Sequence, residues 1–156
     1  MFNHAPQKYV CPICLGVQGI ESDKTLIKQS DILYKDDFVT AFISSFFIGK
    51  NKGHVVVVPN EHVENIYDIT SELSSKIQNI VRKMALAVRE SYASEGITIL
   101  QNNEPAGNQH AFHYHVHIFP RYKNDNLYLH MMEKTTTTAK ERLPYAKKLM
   151  IFLKNL

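Results

Sequence analysis

Three histidines alternate with other residues in the segment His113-Tyr114-His115-Val116-His117-Ile118-Phe119. Tyr, Val and Ile favour β-strands, and successive side chains of a strand point to opposite faces. The three imidazoles are therefore predicted to share one face, while Phe112, Tyr114, Val116 and Ile118 share the other. Such a row of imidazoles can bind a metal ion, or one of them can act as base or nucleophile on phosphorus or carbon. The segment itself leaves both kinds of site open.

The only two cysteines form a second candidate site, Cys11-Pro-Ile-Cys14. In a reducing compartment a Cys-x-x-Cys pair is more often half of a metal site or a redox pair than a structural disulfide. A redox motif is expected near a βαβ pattern, which the surrounding sequence does not provide. A metal half-site is therefore favoured over a redox pair, with unliganded surface thiols as the remaining alternative. Because no Cys or His pair follows closely, any further ligands must come from distant segments.

Length and composition place these sites in an ordinary globular protein. With 156 residues, of which 44% are hydrophobic and 21% charged, the chain fits one domain, 1–156. Its net charge of +3 is too small to indicate nucleic acid or membrane as a partner, and no apolar run approaches the roughly 20 residues that span a bilayer. The N-terminal residues lack the features of a secretory signal, so we expect a cytoplasmic location.

The elements that position these residues can be predicted from their hydrophobic pattern. Strands outnumber helices, and short turns join most successive strands, so we expect an α+β domain. Its antiparallel sheet would have about five strands, with one long helix packed on it and a basic C-terminal helix whose charges face solvent. The predicted strands are 32–34 and 38–43, which form a hairpin, then 53–59, 97–101 and 113–119; the predicted helices are 68–93, capped by Thr70 or Ser71, and 139–156, with Lys140, Arg142, Lys147, Lys148 and Lys154 in solvent.

With these segments in view, the chain resembles the histidine triad superfamily of nucleotide hydrolases and transferases. The His-x-His-x-His signature followed by two apolar residues is matched in full at 113–119, and the segment 53–62 is similar to the family's middle strand and following turn. The resemblance covers a core of residues 10–122 and leaves a C-terminal extension, 123–156. It implies a homodimer that acts on a nucleotide.

The resemblance also implies roles for individual residues. His115 would be the nucleophile that attacks the α-phosphorus and forms a covalent nucleotidyl-histidine. His117 would contact the same phosphate, and His54 would lie beside both. Asn102 and Gln109 match loop positions that hydrogen-bond the phosphate or the leaving group in relatives. The sequence does not identify which group accepts a hydrogen bond from the second nitrogen of His115.

The chain departs from the common family pattern near the substrate. Ser44 stands where many relatives have an Asp that binds the ribose hydroxyls, so the nucleotide preference cannot be inherited. His110 replaces the usual Ser or Thr, and it could be a leaving-group acid or a surface loop residue. Glu104 and Asn108 stand where the commoner pattern has Gly, as in a less studied bacterial branch.

In the zinc-carrying branches of the family, the N-terminal Cys-x-x-Cys joins two distant histidines. The matching positions here are Cys11, Cys14, His62 and His113. Two Cys and two His make a closed tetrahedral set, which suits a structural zinc ion. The resemblance thus implies a bacterial zinc-carrying branch of the family, with Zn²⁺ as its structural cofactor.

Three functions follow as hypotheses. The first is a nucleotide hydrolase or nucleotidyl transferase with a phosphoramidate, dinucleoside polyphosphate or nucleotide-conjugate substrate. The second is a metallohydrolase in which all three triad histidines bind a catalytic metal. The third is a nucleotide-binding protein without significant turnover.

Overall fold

A five-stranded antiparallel sheet forms the centre of the computed structural model, which describes residues 2–155. The sheet has the strand order β1-β2-β4-β6-β5, and β3 pairs with β7 in a separate two-stranded ribbon. The predicted α+β class, with its five strands and packed helices, is confirmed. In chain order the strands are β1 (Ile32–Lys35), β2 (Val39–Ile43), β3 (Phe46–Phe47), β4 (Val55–Pro59), β5 (Gly96–Gln101), β6 (Val116–Arg121) and β7 (Thr135–Thr136).

Four helices accompany the strands: α1 (Pro12–Val17), α2 (Ser71–Ser91), α3 (Leu127–His130) and α4 (Ala139–Leu153). The long helix α2 begins three residues later than predicted, because Asp68 closes a separate 3-10 turn and the Thr70 side chain caps α2 by accepting from the Leu73 amide at 3.2 Å. Its apolar stripe is buried, as the helical spacing predicts. Met1 and Leu156, the predicted domain limits, lie outside the described residues.

The two faces of the sheet are covered by different parts of the chain. Val55, Val57 and Ile118 pack with α2 and α4 in the main core. On the opposite face, Val56 and Val58 pack with α1 and the segment that follows it. His54 and His117 lie on this second face, because the alternation of β4 and β6 turns their side chains away from α2.

The C-terminal extension is tied to the sheet by an ion pair. The Arg142 guanidinium donates through Nε to Oδ1 of Asp31 at 2.8 Å and through Nη2 to Oδ2 at 2.7 Å, and both side chains are almost fully buried. The prediction that Arg142 faces solvent is therefore wrong, because its charge has a buried carboxylate partner far away in sequence. The four lysines of α4 and its end are exposed as predicted.

Gly53 lets α4 approach the start of β4. Its φ is +73°, a left-handed conformation, and a Cβ at this position would collide with the Tyr145 ring. The neighbouring His54 directly precedes β4, which begins two residues later than the predicted strand 53–59. Within residues 2–155, none of the helices is long and apolar enough to cross a membrane.

Candidate active site and metal centre

The histidine segment is only partly a strand. β6 begins at Val116, so His113 and His115 lie in the irregular chain before it, contrary to the predicted strand 113–119. The reason is that this chain is held by other partners: the Tyr114 amide donates to the Val63 carbonyl at 2.6 Å, in the loop after β4. Tyr114, Val116 and Ile118 still share the main core, whereas the Phe112 ring packs on the Tyr9 ring with centroids 5.6 Å apart.

His115 is held in one orientation by a backbone hydrogen bond. Its Nδ1 lies 2.6 Å from the carbonyl oxygen of His113, and the residue is 8% exposed. A carbonyl oxygen can only accept, so Nδ1 carries the proton and the lone pair of a neutral ring is at Nε2. Burial is the main cause that lowers the pKa of His115, which favours the neutral ring. The structure thus supplies the acceptor that the sequence could not identify.

Two further imidazoles lie beside His115. The ring centroid of His117 is 4.9 Å from that of His115 and 5.3 Å from that of His54, and His54 also packs on the Phe119 ring at 4.3 Å. Burial lowers the pKa of His54 to about 3 and, as the largest cause, holds the pKa of His117 well below its usual value. Within residues 2–155, the buried Nδ1 atoms of both rings have no hydrogen-bond partner. These polar atoms are available for a substrate or for ordered water.

The side-chain amide of Gln109 is hydrogen-bonded at both ends to backbone groups. Its Oε1 accepts from the Glu104 amide at 2.7 Å, and its Nε2 donates to the Glu64 carbonyl at 2.6 Å. Both ends of the buried amide are thus used to hold the loop, so contact with a phosphate or leaving group stays a prediction for Gln109. Asn102 is half-buried and makes a long bond of 3.4 Å to the Asn108 carbonyl, which leaves it freer to bind a ligand.

The loop before the histidines contains two positive φ angles. Glu104 has φ 62° and Asn108 has φ 66°, the two positions where the commoner family pattern has Gly. Glycine adopts positive φ without steric cost, and Asn tolerates the left-handed region better than Glu does. Tyr67 donates to the Glu104 carboxylate at 3.0 Å and helps to hold this conformation. The loop shape is thus kept without the glycines.

Ser44 contacts the histidine cluster through its backbone, whereas His110 is exposed. The Ser44 amide donates to the His54 carbonyl at 2.9 Å, and its Oγ accepts from the Phe46 amide at 3.2 Å, so Ser44 lies beside the cluster at the end of β2. His110 is exposed, and its ring makes no hydrogen bond or ion pair within residues 2–155. Its role as leaving-group acid or surface residue stays open.

Cys11, Cys14, His62 and His113 come together as predicted, and their ligand atoms all lie within 4.8 Å of one another. Nδ1 of His113 is 3.5 Å from Sγ of Cys11 and 3.4 Å from Sγ of Cys14. Nδ1 of His62 is 3.3 Å from Sγ of Cys14. A tetrahedral zinc with its usual bond lengths separates sulfur from nitrogen by about 3.5 Å. The cluster therefore fits zinc in geometry and in ligand type.

The surroundings also prepare these residues for a cation. Nε2 of His113 donates to the Pro59 carbonyl at 3.0 Å, which leaves the Nδ1 lone pair directed at the thiols. Burial, followed by the neighbouring Cys11, raises the pKa of Cys14 to about 12. The Cys14 thiol thus stays protonated unless a cation compensates the charge of its thiolate, as a bound divalent metal does.

His113 belongs to both parts of the site. Its ring faces the two cysteines, while its carbonyl oxygen holds His115. Sequence reasoning assigned the ring but missed the carbonyl, because a backbone acceptor leaves no residue-type signal. The spacing of two residues between the histidines was the only available clue.

A comparison with protein families finds that the HIT domain matches residues 26–124. Protein hit of Bacillus subtilis is 40% identical over 90 residues, which cover 58% of this chain and 61% of that protein, so the match spans less than two thirds of its length. A HIT-like protein of Saccharolobus solfataricus is 33% identical over 148 residues, 94% of this chain and 100% of that protein. Purine nucleoside phosphoramidase of Escherichia coli is 29% identical over 90 residues, 57% of this chain and 74% of the enzyme.

A comparison of structures agrees. The crystal structure of a Zn-bound histidine triad family protein from Mycobacterium smegmatis superposes with a TM-score of 0.74 and covers 93% of this chain and 94% of that one. At 23% identity this likeness shows a common fold.

Proposed function

Because this chain belongs to the HIT domain family, we propose that it is a nucleotide hydrolase or nucleotidyl transferase that acts at the α-phosphate through His115. The observation that carries the proposal is the 2.6 Å hydrogen bond from Nδ1 of His115 to the His113 carbonyl, which frees Nε2 for attack. The similarity to a purine nucleoside phosphoramidase supports a nucleotide substrate with a P–N or P–O bond to be broken.

The proposed reaction has two steps. The Nε2 lone pair of His115 forms a bond to the α-phosphorus, and the bond to the leaving group breaks, so that this group departs with the electron pair and takes up a proton. The oxygen of water or of an acceptor hydroxyl then forms a bond to the same phosphorus, and the P–Nε2 bond breaks with its electron pair returning to Nε2. The attacking oxygen loses one proton, which balances the proton that the leaving group took up, and the free neutral imidazole is restored. The protein thereby divides one difficult substitution into two easier ones.

Polar groups around His115 would meet the charge on the phosphate oxygens. His117 and His54 are neutral rings with unpartnered buried nitrogens, and Asn102 offers an amide. Donors that are already in place are more effective in a buried site than in water. We assign these three residues to the phosphate, and Ser44, beside His54, to the sugar.

We further propose that Cys11, Cys14, His62 and His113 hold a structural zinc ion. Four protein ligands fill a tetrahedral shell, so zinc would fix the local structure and has no open position for substrate. A catalytic metal shared by the three triad histidines is disfavoured, because Nδ1 of His113 faces the thiols whereas Nδ1 of His115 faces a carbonyl.

Rapid-quench intact-mass spectrometry tests the proposed function. The purified protein is mixed with adenosine 5′-phosphoramidate, a diadenosine polyphosphate or a nucleotide sugar and quenched in the millisecond range. We expect one added nucleotidyl group in the native protein, none in His115→Ala, and an unchanged adduct in His130→Ala, since His130 lies outside the site and contacts Glu133 at 2.8 Å.

The outcomes separate the three hypotheses. Nucleotide binding without an adduct or cleavage in any substrate class would favour a binding protein. Turnover that requires a metal bound by His115 would favour a metallohydrolase. By family membership we also propose a homodimer, and a single-chain mass by light scattering at micromolar concentration would contradict it.

A further inference from the structure

The C-terminal extension reaches back to the candidate active site through the β3/β7 ribbon. Phe46 is paired with Thr136 and Phe47 with Thr135. Thr137 strengthens the connection, since its amide and its hydroxyl both donate to the Ser45 carbonyl, at 2.9 and 3.0 Å. The residue that precedes β7 is thus held at a fixed place relative to β3.

That place is at the edge of the histidine cluster. β3 starts two residues after Ser44, whose amide is bonded to the His54 carbonyl. The His54 ring in turn lies next to the ring of His117. The ribbon therefore begins two residues from Ser44, which is bonded to this cluster.

Lys134, directly before β7, places a cation there. Its Nζ is 5.0 Å from the centroid of the Phe46 ring, a cation–π distance, and the side chain is exposed. The carboxylate of the preceding residue, Glu133, contacts Nδ1 of His130 at 2.8 Å. Among residues 2–155, no acidic side chain forms a salt bridge with Lys134, so no ion pair in this part of the chain neutralises its charge.

The charge of Lys134 acts on His117 in the histidine cluster. Burial is the main reason that the pKa of His117 lies well below its ordinary value, and the nearby charges, including that of Lys134, lower it further. Electrostatic influence between the two side chains agrees with the contact path through Phe46 and Ser44. An ammonium group whose charge acts on a ring that we assign to the phosphate is a suitable partner for another anionic group.

We propose that Lys134, held over Phe46 by the ribbon, binds a second phosphate group of the substrate, so that the site prefers nucleotides with two phosphates to a nucleoside monophosphate. The inference rests on the proposed function in that it places the first phosphate at His115 and His117. The second phosphate can stand in the 5′ chain or on the ribose, and both have the same chemistry for an ammonium. The C-terminal extension is then part of the substrate site.

Titration calorimetry with three ligands tests this inference. AMP, ADP and adenosine 3′,5′-bisphosphate are titrated into the native protein and into Lys134→Met, which keeps the aliphatic stem but removes the charge. Lys134→Arg restores the charge, and Lys147→Met removes an exposed charge elsewhere on the same extension. Ligand integrity is verified by ion-exchange chromatography after each titration.

We expect the native protein to bind at least one of the two-phosphate ligands about tenfold more tightly than AMP, in keeping with the loss expected when a charged contact is removed. Lys134→Met should abolish that preference and leave the dissociation constant of AMP nearly unchanged, while the other two variants keep it. ADP preference indicates a phosphate in the 5′ chain, and bisphosphate preference indicates one on the ribose.

Equal binding of all three ligands to the native protein overturns the inference. The inference is also overturned if Lys134→Met weakens the binding of AMP and of the two-phosphate ligands by the same factor. It is likewise overturned if Lys147→Met weakens the binding of the two-phosphate ligands as much as Lys134→Met does. The adduct experiment with His115→Ala tests the proposed catalytic function separately. If no adduct forms, calorimetry still measures whether Lys134 contributes to the binding of a second phosphate.

Discussion

Nδ1 of His115 is hydrogen-bonded to the main-chain carbonyl oxygen of His113 at 2.6 Å. The same His113 directs its ring at the two cysteines and donates from Nε2 to the Pro59 carbonyl. One residue therefore connects the candidate metal centre to the candidate nucleophile. Any force that fixes the His113 ring also limits the movement of its carbonyl and so the orientation of the His115 ring.

This relationship predicts a single tautomer for the neutral His115 ring. We expect long-range ¹H–¹⁵N correlation spectra at neutral pH to show a protonated Nδ1 and an unprotonated Nε2 for His115, because the carbonyl can only accept. Assignment is made by loss of the signals in His115→Ala. A protonated Nε2 with a bare Nδ1 would refute the proposed nucleophile geometry.

The metal centre predicts one zinc ion per chain. Cys14→Ser is expected to weaken zinc binding by at least about 100-fold, since even the outer partners of metal ligands contribute about 10- to 100-fold. Zinc content by mass spectrometry and competition with a chromophoric chelator measure the change. His130→Ala is the matched control, a histidine outside the cluster.

Zinc removal should also lower the unfolding temperature, because a metal that binds only the folded state stabilises it. A chelator should lower the unfolding temperature of the native protein by a large amount and that of Cys14→Ser by a small amount. An unfolding temperature that does not respond to chelation in the native protein would contradict a structural role.

Asp125 predicts a loss of stability in acid. Its carboxylate accepts two bonds from Arg121, at 2.8 and 2.9 Å, and Arg121 is the main cause that lowers the pKa of Asp125. A group with a lowered folded pKa stabilises the protein above its unfolded pKa, about 3.9, and this contribution disappears as the pH falls toward the folded pKa. Asp125→Asn should therefore be less stable at pH 7 and less sensitive to acid.

Urea unfolding between pH 7 and pH 3 measures this effect. The control is Asp23→Asn, an exposed carboxylate that makes no ion pair within the described residues. Parallel stability curves for the native protein and Asp125→Asn would show that the carboxylate does not contribute as its contacts indicate.

Local patterns predicted the framework of this fold well. The hairpin of β1 and β2, the buried run of β4 and the stripe of α2 depend on residues close in sequence, and the structure contains all of them. The metal ligands required the family resemblance, since Cys14 and His113 are 99 residues apart in the chain. Their meeting follows from the sheet order, which periodicity alone does not specify.

The errors come from partners that are distant in sequence. His113 and His115 alternate as in a strand, but the ladders of β6 with β4 and β5 both end at Val116. The Tyr114 amide donates instead to the Val63 carbonyl, in the loop after β4. For Gln109, by contrast, the residue type predicts a ligand-binding amide; two backbone groups bond to that amide in the structure, and its contact with a ligand stays a prediction. Residue type indicates which contacts are possible, whereas the tertiary structure determines which are used.

Arg142 provides the last prediction, because a basic residue on an amphipathic helix normally faces solvent. Here it is paired with Asp31 in the interior, and it also donates to the Leu26 carbonyl at 3.0 Å. Removal of one partner leaves the other charge buried without compensation, which costs about 3–5 kcal/mol. Arg142→Met should lower the free energy of unfolding by this amount, and Lys140→Met, an exposed control on the same helix, should leave it nearly unchanged.

A double-mutant cycle distinguishes the ion pair from simple packing. If the carboxylate without its partner is the main cost, Asp31→Asn combined with Arg142→Met should be destabilised by clearly less than the sum of the two single variants. Urea denaturation at pH 7 gives the three free energies. Additive losses would mean that the two side chains contribute independently, and α4 would then be held to the sheet by its apolar contacts and not by this pair.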